Sequence, residues 1–476
     1  MANTATSTVT FSILSPDASL SYDCIKLRLE EYRALLASDS DTIELSTENG
    51  KTLICGKQVK RMEQFLDQAE ILLRDIIQSR DTSTLIVLHH IRDLAKVLDK
   101  LGLYDECRLT GNCALQLAEA LSIRSLEFRH EQAETLTLIA RLSAYRPRAR
   151  TLFIRAVSIC EEVVETNASY SNKNRLLIIL DRAGYWASGH LRAQWLGRAV
   201  QLMTNELPPT MVHPDIRSDI YLNYGYGLYQ LKQYSNASEA YDEAISIHRA
   251  LVNNNPAKHN PYLAQALLNM GVALSALGKY GDAIATSKET LEICTTMSAQ
   301  DPLRYNKLMA MALLNYGFIL GELNQVSQAA EVEKQAILLF RNLVRTGKEC
   351  TSLLLKALNN YGSSCGSIGQ HIEAVLAYQE SILLGRALAA TDSEEEKSLT
   401  LTLHNIAHSF LALGKYAEAN TAATEALTRN HGRVLEDCDY APDFISCFVC
   451  QRAMITDPIE DGSTPLPFFL ATAFWS

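Results

Sequence analysis

One pattern in the sequence is stated and then repeated at a fixed distance. Tyr221-Leu222-Asn223-Tyr224-Gly225 leads through Gln233-Tyr234 to Ala237, Tyr241 and Ala244, and Leu267-Leu268-Asn269-Met270-Gly271 leads through Gly278-Lys279-Tyr280 to Ala283. Gly225 to Gly271 is 46 residues, and Tyr234 to Tyr280 is the same 46. Two landmarks that move together at one period point to an array of helical hairpins, which repeat at roughly 34 to 47 residues. An array of that kind adds length without closing a single core, so the 476 residues need not divide into ordinary globular domains.

The residue types explain why the spacing matters. A glycine inside a helix costs about 1 kcal/mol relative to alanine, so Gly225 and Gly271 signal a neighbouring helix that must approach closely. Ala237 and Ala283, twelve residues on, do the same for the second helix of each pair, and Tyr241 and Ala244 lie further along its face. Followed along the chain, the small residue of the second helix falls at Cys107, Ala149, Arg192, Ala237, Ala283, Ala329, Ala374 and Ala419, in steps of 42, 43, 45, 46, 46, 45 and 45. Its companion seven residues later is Ala114, Ala156, Ala199, Ala244, Thr290, Ala336, Ser381 and Ala426. Eight units are implied. The first three are degenerate, with Ala95, Thr137 and Leu180 at the glycine position and Arg192 where a small residue belongs.

These landmarks divide the chain into a loose tail (1–20), an N-terminal helical cap (21–80), degenerate units one to three (85–205), units four to eight (216–430) and a non-repeat segment (434–476). Within the cap, Tyr22 to Leu36 and Val59 to Ile77 read as helices around a polar break from Ser38 to Lys51. Leu207-Pro208-Pro209 and His213-Pro214 cannot continue a helix, and a bend or subdomain boundary is expected there.

The small residues at Gly225, Ala237 and Ala244, with an aromatic at Tyr241, resemble the pattern of the tetratricopeptide repeat, and the period of about 45 is similar to its long-repeat branch typified by kinesin light chain. The resemblance implies an all-α, right-handed superhelical solenoid of antiparallel helix hairpins whose inner groove binds peptide segments of partner proteins. An asparagine stands two residues before the glycine position in units four to eight, at Asn223, Asn269, Asn315, Asn360 and Asn405. Asparagine is a poor interior helix residue, so five returns at one position need a reason. In long arrays of this family the matching asparagines line the groove and hold the backbone of an extended peptide, and a carboxamide can both accept from a peptide N–H and donate to a peptide C=O. The other reading is that these amides tie a helix to the adjacent unit.

One helical turn away on the same face, Leu222, Tyr226, Tyr229, Leu268, Val272, Leu314, Phe318, His404 and His408 would supply selectivity for apolar side chains, or simply pack between units. The family's chaperone-binding members hold a terminal carboxylate with lysine and asparagine where Leu222 and Tyr226 stand here, which argues against that mode.

Charge and cysteine usage narrow the partners. With 44 basic against 54 acidic side chains and a net charge of −10, the chain lacks the positive face from which affinity for nucleic acid or an anionic membrane starts. Eleven cysteines without regular spacing suggest reduced thiols and a cytoplasmic setting. No run of 18 apolar residues suggests a membrane span. Phosphate-loop and nucleophile-elbow signals are missing, so a non-catalytic adaptor without cofactor is expected. A rival reading is a ubiquitin-ligase component, because Cys447-x2-Cys450 with Cys438 upstream faintly resembles half of a RING or U-box module. Zinc needs four ligands, however, and no cysteine or histidine follows Cys450. A third is the sensor arm of a larger signalling NTPase or protease system.

Overall fold

The computed structural model describes residues 84–434 apart from short breaks, two strands within residues 42–55, and helical stretches within residues 25–33 and 64–75. Among the described residues sixteen α-helices follow one another as eight helix–turn–helix pairs. They are α1 (Thr84–Lys100) with α2 (Tyr104–Arg124), α3 (Arg129–Arg141) with α4 (Arg146–Thr166), and α5 (Tyr170–Trp186) with α6 (Gly189–Gln201). The series continues with α7 (Pro214–Gln230) and α8 (Tyr234–Val252), α9 (Pro256–Ala276) and α10 (Tyr280–Gln300), and α11 (Pro302–Glu322) and α12 (Val326–Arg345). The last pairs are α13 (Thr351–Ser367) with α14 (His371–Ala389) and α15 (Ser393–Ala412) with α16 (Tyr416–Val434). Two compact units, residues 1–227 and 228–476, divide the chain within α7. The proline-rich break lies just upstream, where a π-helical turn (Leu202–Glu206) precedes α7. Pro214 opens that helix, the position where a missing N–H costs least.

Every position of the small-residue column but Arg192 is buried, and so is every position of its companion column, including Thr290 and Ser381. Both hydroxyls are satisfied: Thr290 donates to the carbonyl of Thr286 at 2.7 Å and Ser381 to Asn359 Oδ1 at 2.9 Å. Arg192 keeps out of the core. Its Nε donates to the carbonyl of Gly184 and its Nη2 to that of Tyr185, both at 3.1 Å, which closes the last turn of α5, while its guanidinium lies 4.8 Å from the Tyr226 ring centre. In the same hairpin the close approach is made by Gly184 against Leu196, one helical turn beyond Leu180, so the glycine has slid along α5.

In the unit from residue 228, each turn between paired helices carries one residue in the left-handed region: Lys232 (φ 60°), Gly278 (φ 70°), Asn324 (φ 59°), Gly369 (φ 79°) and Gly414 (φ 71°). The next residue's N–H reaches back five residues in every case, Gln233 to Leu228 at 3.0 Å, Lys279 to Leu274 at 2.9 Å, Gln325 to Leu320 at 2.8 Å, Gln370 to Cys365 at 2.8 Å and Lys415 to Phe410 at 2.9 Å. This is the helix-stop motif that satisfies orphan carbonyls, and it sets where the second helix begins. The two pairs after α8 each start on a cap: Asn255 Oδ1 accepts from Lys258 N and Asp301 Oδ1 from Arg304 N, each at 3.2 Å, with Pro256 and Pro302 as first helical residues.

The two faces of the stack are joined differently. Odd-numbered helices of successive hairpins lie side by side, α9 with α11, α11 with α13, α13 with α15, and in the first unit α3 with α5. Even-numbered helices reach across with arginine–glutamate pairs: Arg249–Glu289 at 2.8 Å, Arg341 Nε–Glu380 Oε1 at 3.0 Å and Arg386–Glu425 at 2.7 Å. Arg155–Glu119 at 2.9 Å and Arg198–Glu161 at 3.6 Å do the same in the first unit. The core is accordingly a series of local clusters, one around Ala336 and Phe340 and the next around Tyr378 and Leu403.

The N-terminal region differs in part from the expected helical cap. Ile25, Leu29, Leu66 and Ala69 do join the core of α1 and α2, and Arg33 pairs with Asp67 at 2.7 Å and Glu70 at 2.9 Å. The expected polar break, however, holds an antiparallel strand pair, β1 (Thr42–Thr47) and β2 (Gly50–Cys55), with Ile43 opposite Ile54 and Leu45 opposite Thr52. Alternating Ile43 and Leu45 ahead of Asn49-Gly50 is a hairpin signal that the helix-seeking reading passed over. The 1–20 and 435–476 segments lie outside the described residues.

Two substitutions check this account of the hairpins. A Cβ at position 362 would meet the Tyr378 ring at 2.6 Å, so Gly362→Ala is expected to destabilise by about 1–3 kcal/mol through overpacking, despite the gain in helix propensity. Lys232→Gly is expected to stabilise by about 1 kcal/mol, since it removes the cost of a side chain in the left-handed region. Urea denaturation of each variant beside the native chain measures both.

Candidate functional site

Between α11, α12, α13 and α15 lies a hollow of about 70 Å3. Phe318 and Glu322 come from α11, Glu333 from α12, Asn359, Asn360, Ser363 and Ser364 from α13, and Asn405 from α15. Two of the five periodic asparagines, Asn360 and Asn405, thus share one depression with Phe318. Three of its contributing helices are odd-numbered, so it lies on the face that those helices form.

The other sequence-derived positions are placed variously. Asn315 is 2% exposed, and its Nδ2 donates to Ser287 Oγ of α10 at 3.4 Å; its amide is used inside the stack, beside Gly271. Asn269 is half-buried and accepts from Gln265 of its own helix at 3.0 Å, and Asn223 is half-buried in α7. Leu268 and Leu314 are core residues, whereas Leu222, Val272 and Phe318 are half-buried. Tyr226 is exposed beneath Arg192, and Tyr229 packs against Tyr234 with ring centres 5.2 Å apart. His404 and His408, one turn apart on α15, bring their Nε2 atoms to 3.1 Å. Burial lowers the affinity of both imidazoles for a proton, that of His404 to a pKa of about 4, so the pair is neutral at pH 7.

Asn359, the neighbour of the periodic Asn360, carries a structural role that sequence reading did not single out. Its Oδ1 accepts from Ser381 at 2.9 Å and from Thr402 at 2.8 Å, and its Nδ2 donates to Ser398 at 3.4 Å. One buried amide therefore ties α13 to both α14 and α15.

Glu333 is the other missed residue. It stands four residues after Ala329, at the position held by Tyr241 and Tyr378 in units four and seven. Only 2% of it is exposed, and Gly317 makes the room, since a Cβ there would meet its Cγ at 2.6 Å. Ser364 hydrogen-bonds to the carboxyl, but Oε2 has no partner. Burial pushes its pKa up to about 8, because the anion loses water and gains no cation. The column of residues following the small position, if compared across units, would have exposed it as the one acid among Tyr241, Ser287, Tyr378 and Ala423.

Elsewhere the chemistry is structural. Cys160 Sγ lies 3.9 Å from His130 Nδ1, but burial pushes the thiol up to about 12 and the imidazole downward, the reverse of what an activated thiolate requires. His130 Nε2 is already engaged by Asn172 Oδ1 at 2.9 Å. Among the described residues no group of three or more His, Cys, Asp or Glu side chains could hold a metal ion. Cys438, Cys447 and Cys450 lie outside those residues. No described helix is long and apolar enough to cross a membrane.

A family model described as tetratricopeptide repeat matches residues 218–250. Those residues are a tetratricopeptide repeat. The match covers the hairpin that states the period, and the other pairs repeat its helix–turn–helix form. Similar solved structures include a signal-transduction ATPase with a tetratricopeptide repeat sensor from Pyrococcus horikoshii, with 12% identity over 87% of this chain and 59% of that one (TM-score 0.47). Aspartyl phosphate phosphatase F from Bacillus subtilis shares 12% identity over 88% and 99% of the two chains (TM-score 0.43). A putative kinesin light chain from Podosopora anserina with nearly identical tetratricopeptide-like repeats shares 18% over 46% and 98% (TM-score 0.36). No curated protein matches the sequence.

The raised Glu333 pKa makes a stability prediction with a definite sign. Between the unfolded carboxyl's pKa and about 8, the folded chain holds a proton that the unfolded chain has released, so stability falls as pH rises through that window. Glu333→Gln removes the titration. The stability of the native chain relative to the variant is expected to drop by up to about 1.4 kcal/mol per pH unit between roughly pH 5 and 8, measured by denaturation across pH; a constant difference would contradict the placement of the carboxyl.

Proposed function

We propose that this protein is a non-catalytic adaptor whose unit from residue 228 onward binds an extended peptide segment of a partner protein along its odd-numbered helices. The observation that carries the reading is the convergence of Asn360, Asn405 and Phe318 on one hollow. No hydrogen-bond role inside the stack is assigned to either side-chain amide, in contrast to Asn315 and Asn359. An extended peptide needs partners for its backbone N–H and C=O groups, and a carboxamide serves both. Phe318 supplies an apolar wall beside them. A surface built from packed helices is preformed, so most of the ordering cost falls on the ligand. The net charge of −10 favours a partner segment that is not itself acidic.

Asn360→Ala combined with Asn405→Ala tests this reading without touching Asn359 or Asn315. Peptides enriched from a phage-displayed library on the full native chain are expected to bind the double variant at least about tenfold more weakly, the effect of losing one or two hydrogen bonds to the ligand. The thermal midpoint should stay within a few degrees. A folded variant that binds the same peptides with unchanged affinity would remove the groove from the account.

A further inference from the structure

We propose that the hollow receives a basic side chain, lysine or arginine, of the bound peptide, with the unpartnered carboxyl of Glu333 at its floor as the acceptor. This rests on the peptide-binding reading above and names what the peptide must carry.

The argument begins with an incomplete group. A buried carboxyl with a free oxygen is costly unless something completes it. Glu333 has Ser364 on one side and nothing on Oε2, and it lines a hollow that opens between helices rather than a sealed cavity. No described cation stands there to pair with it. The ionisable groups around it are Glu322 from α11, Cys365 from α13 with Tyr361 hydrogen-bonded to it, and Tyr378 from α14, while Lys334 of α12 and Glu373 of α14 act on Cys365. Burial raises the pKa of Tyr361, Cys365 and Tyr378, which keeps all three neutral at pH 7. Glu322, which accepts from the Tyr280 hydroxyl at 3.0 Å, adds a second acidic group at the same hollow. Among the residues that line the hollow, the two that can carry a charge, Glu322 and Glu333, are both acidic.

A cationic head entering the hollow would meet Oε2 as its charged partner, with the carbonyl oxygens of Asn360 and Asn405 and the Ser363 hydroxyl as acceptors for its remaining N–H groups. The carboxyl is desolvated before the ligand arrives, so only the incoming cation loses water on binding, and the attraction acts in a medium of low polarity. A protonated Glu333 must release its proton to the solvent as the pair forms. Binding of a basic peptide therefore strengthens as pH rises toward the carboxyl's own pKa.

The closing experiment uses the full chain and peptides selected on it from a random library, synthesised with blocked termini and without histidine. Three results are expected: a fixed lysine or arginine at one position, at least tenfold weaker binding to Glu333→Gln, and affinity for the native chain that rises up to about tenfold per pH unit between pH 6 and 8. Peptides without a basic position, equal binding to the folded Glu333→Gln chain, or a flat pH profile would each overturn the inference while leaving peptide binding in place. The pH profile needs no variant and decides the matter if Glu333→Gln fails to fold. Failure of any peptide to enrich on the native chain would overturn the groove reading and this inference together.

Discussion

Everything in the stack depends on helices approaching until only a hydrogen or a methyl group fits between them. The alanines at 237, 283, 329, 374 and 419 have no exposed surface, and glycines at 317 and 362 face side chains that a Cβ would overlap. That closeness fixes the height of each hairpin on the next. It also determines which residues are left on the odd-numbered face, because a helix pinned by its small residues has no rotational freedom with which to bury or expose the others. In the unit from residue 228 the left-handed residue at each turn does the complementary work by stopping the first helix at the same point each time.

The same closeness explains how the polar residues divide. Where an amide falls on the packed side it is engaged inside the stack, through Nδ2 of Asn315 to Ser287 and through both ends of Asn359 to Ser381, Thr402 and Ser398. Where it falls on the odd-numbered face it opens into the hollow, as Asn360 and Asn405 do. Adjacent residues on one helix, Asn359 and Asn360, therefore have opposite fates. The periodic asparagines share a register without sharing one environment: Asn269 bonds within its helix, Asn315 bonds to α10, and Asn360 and Asn405 line the hollow.

Much of the architecture was legible in the sequence because it is written in a column of one residue type. The steps from Cys107 to Ala419 located all eight second helices, and even the degenerate Arg192 kept its place at the start of α6. The sliding of the close contact from Leu180 to Gly184 was not legible, since it depends on how Leu196 of α6 packs against α5. The strand pair at 42–55 was hidden by its polar composition, which reads as a break to an eye tuned to a period of 3.6. Glu333 and Asn359 escaped for another reason. A single sequence marks what repeats, and both residues matter because they depart from the repeat: an acid where other units place an aromatic or a small side chain, and an amide one position off the asparagine register.

The two ways of joining successive hairpins give the unit from residue 228 an uneven compliance. Opening the odd-numbered side means parting helices that lie side by side, whereas the even-numbered side is held by long arginine and glutamate arms in water, whose individual attractions are small and weaken with salt. Under load such a stack gives first along its arginine–glutamate side, fanning like the loose edge of a bound book. The spine stays shut, and the hollow lies along the spine.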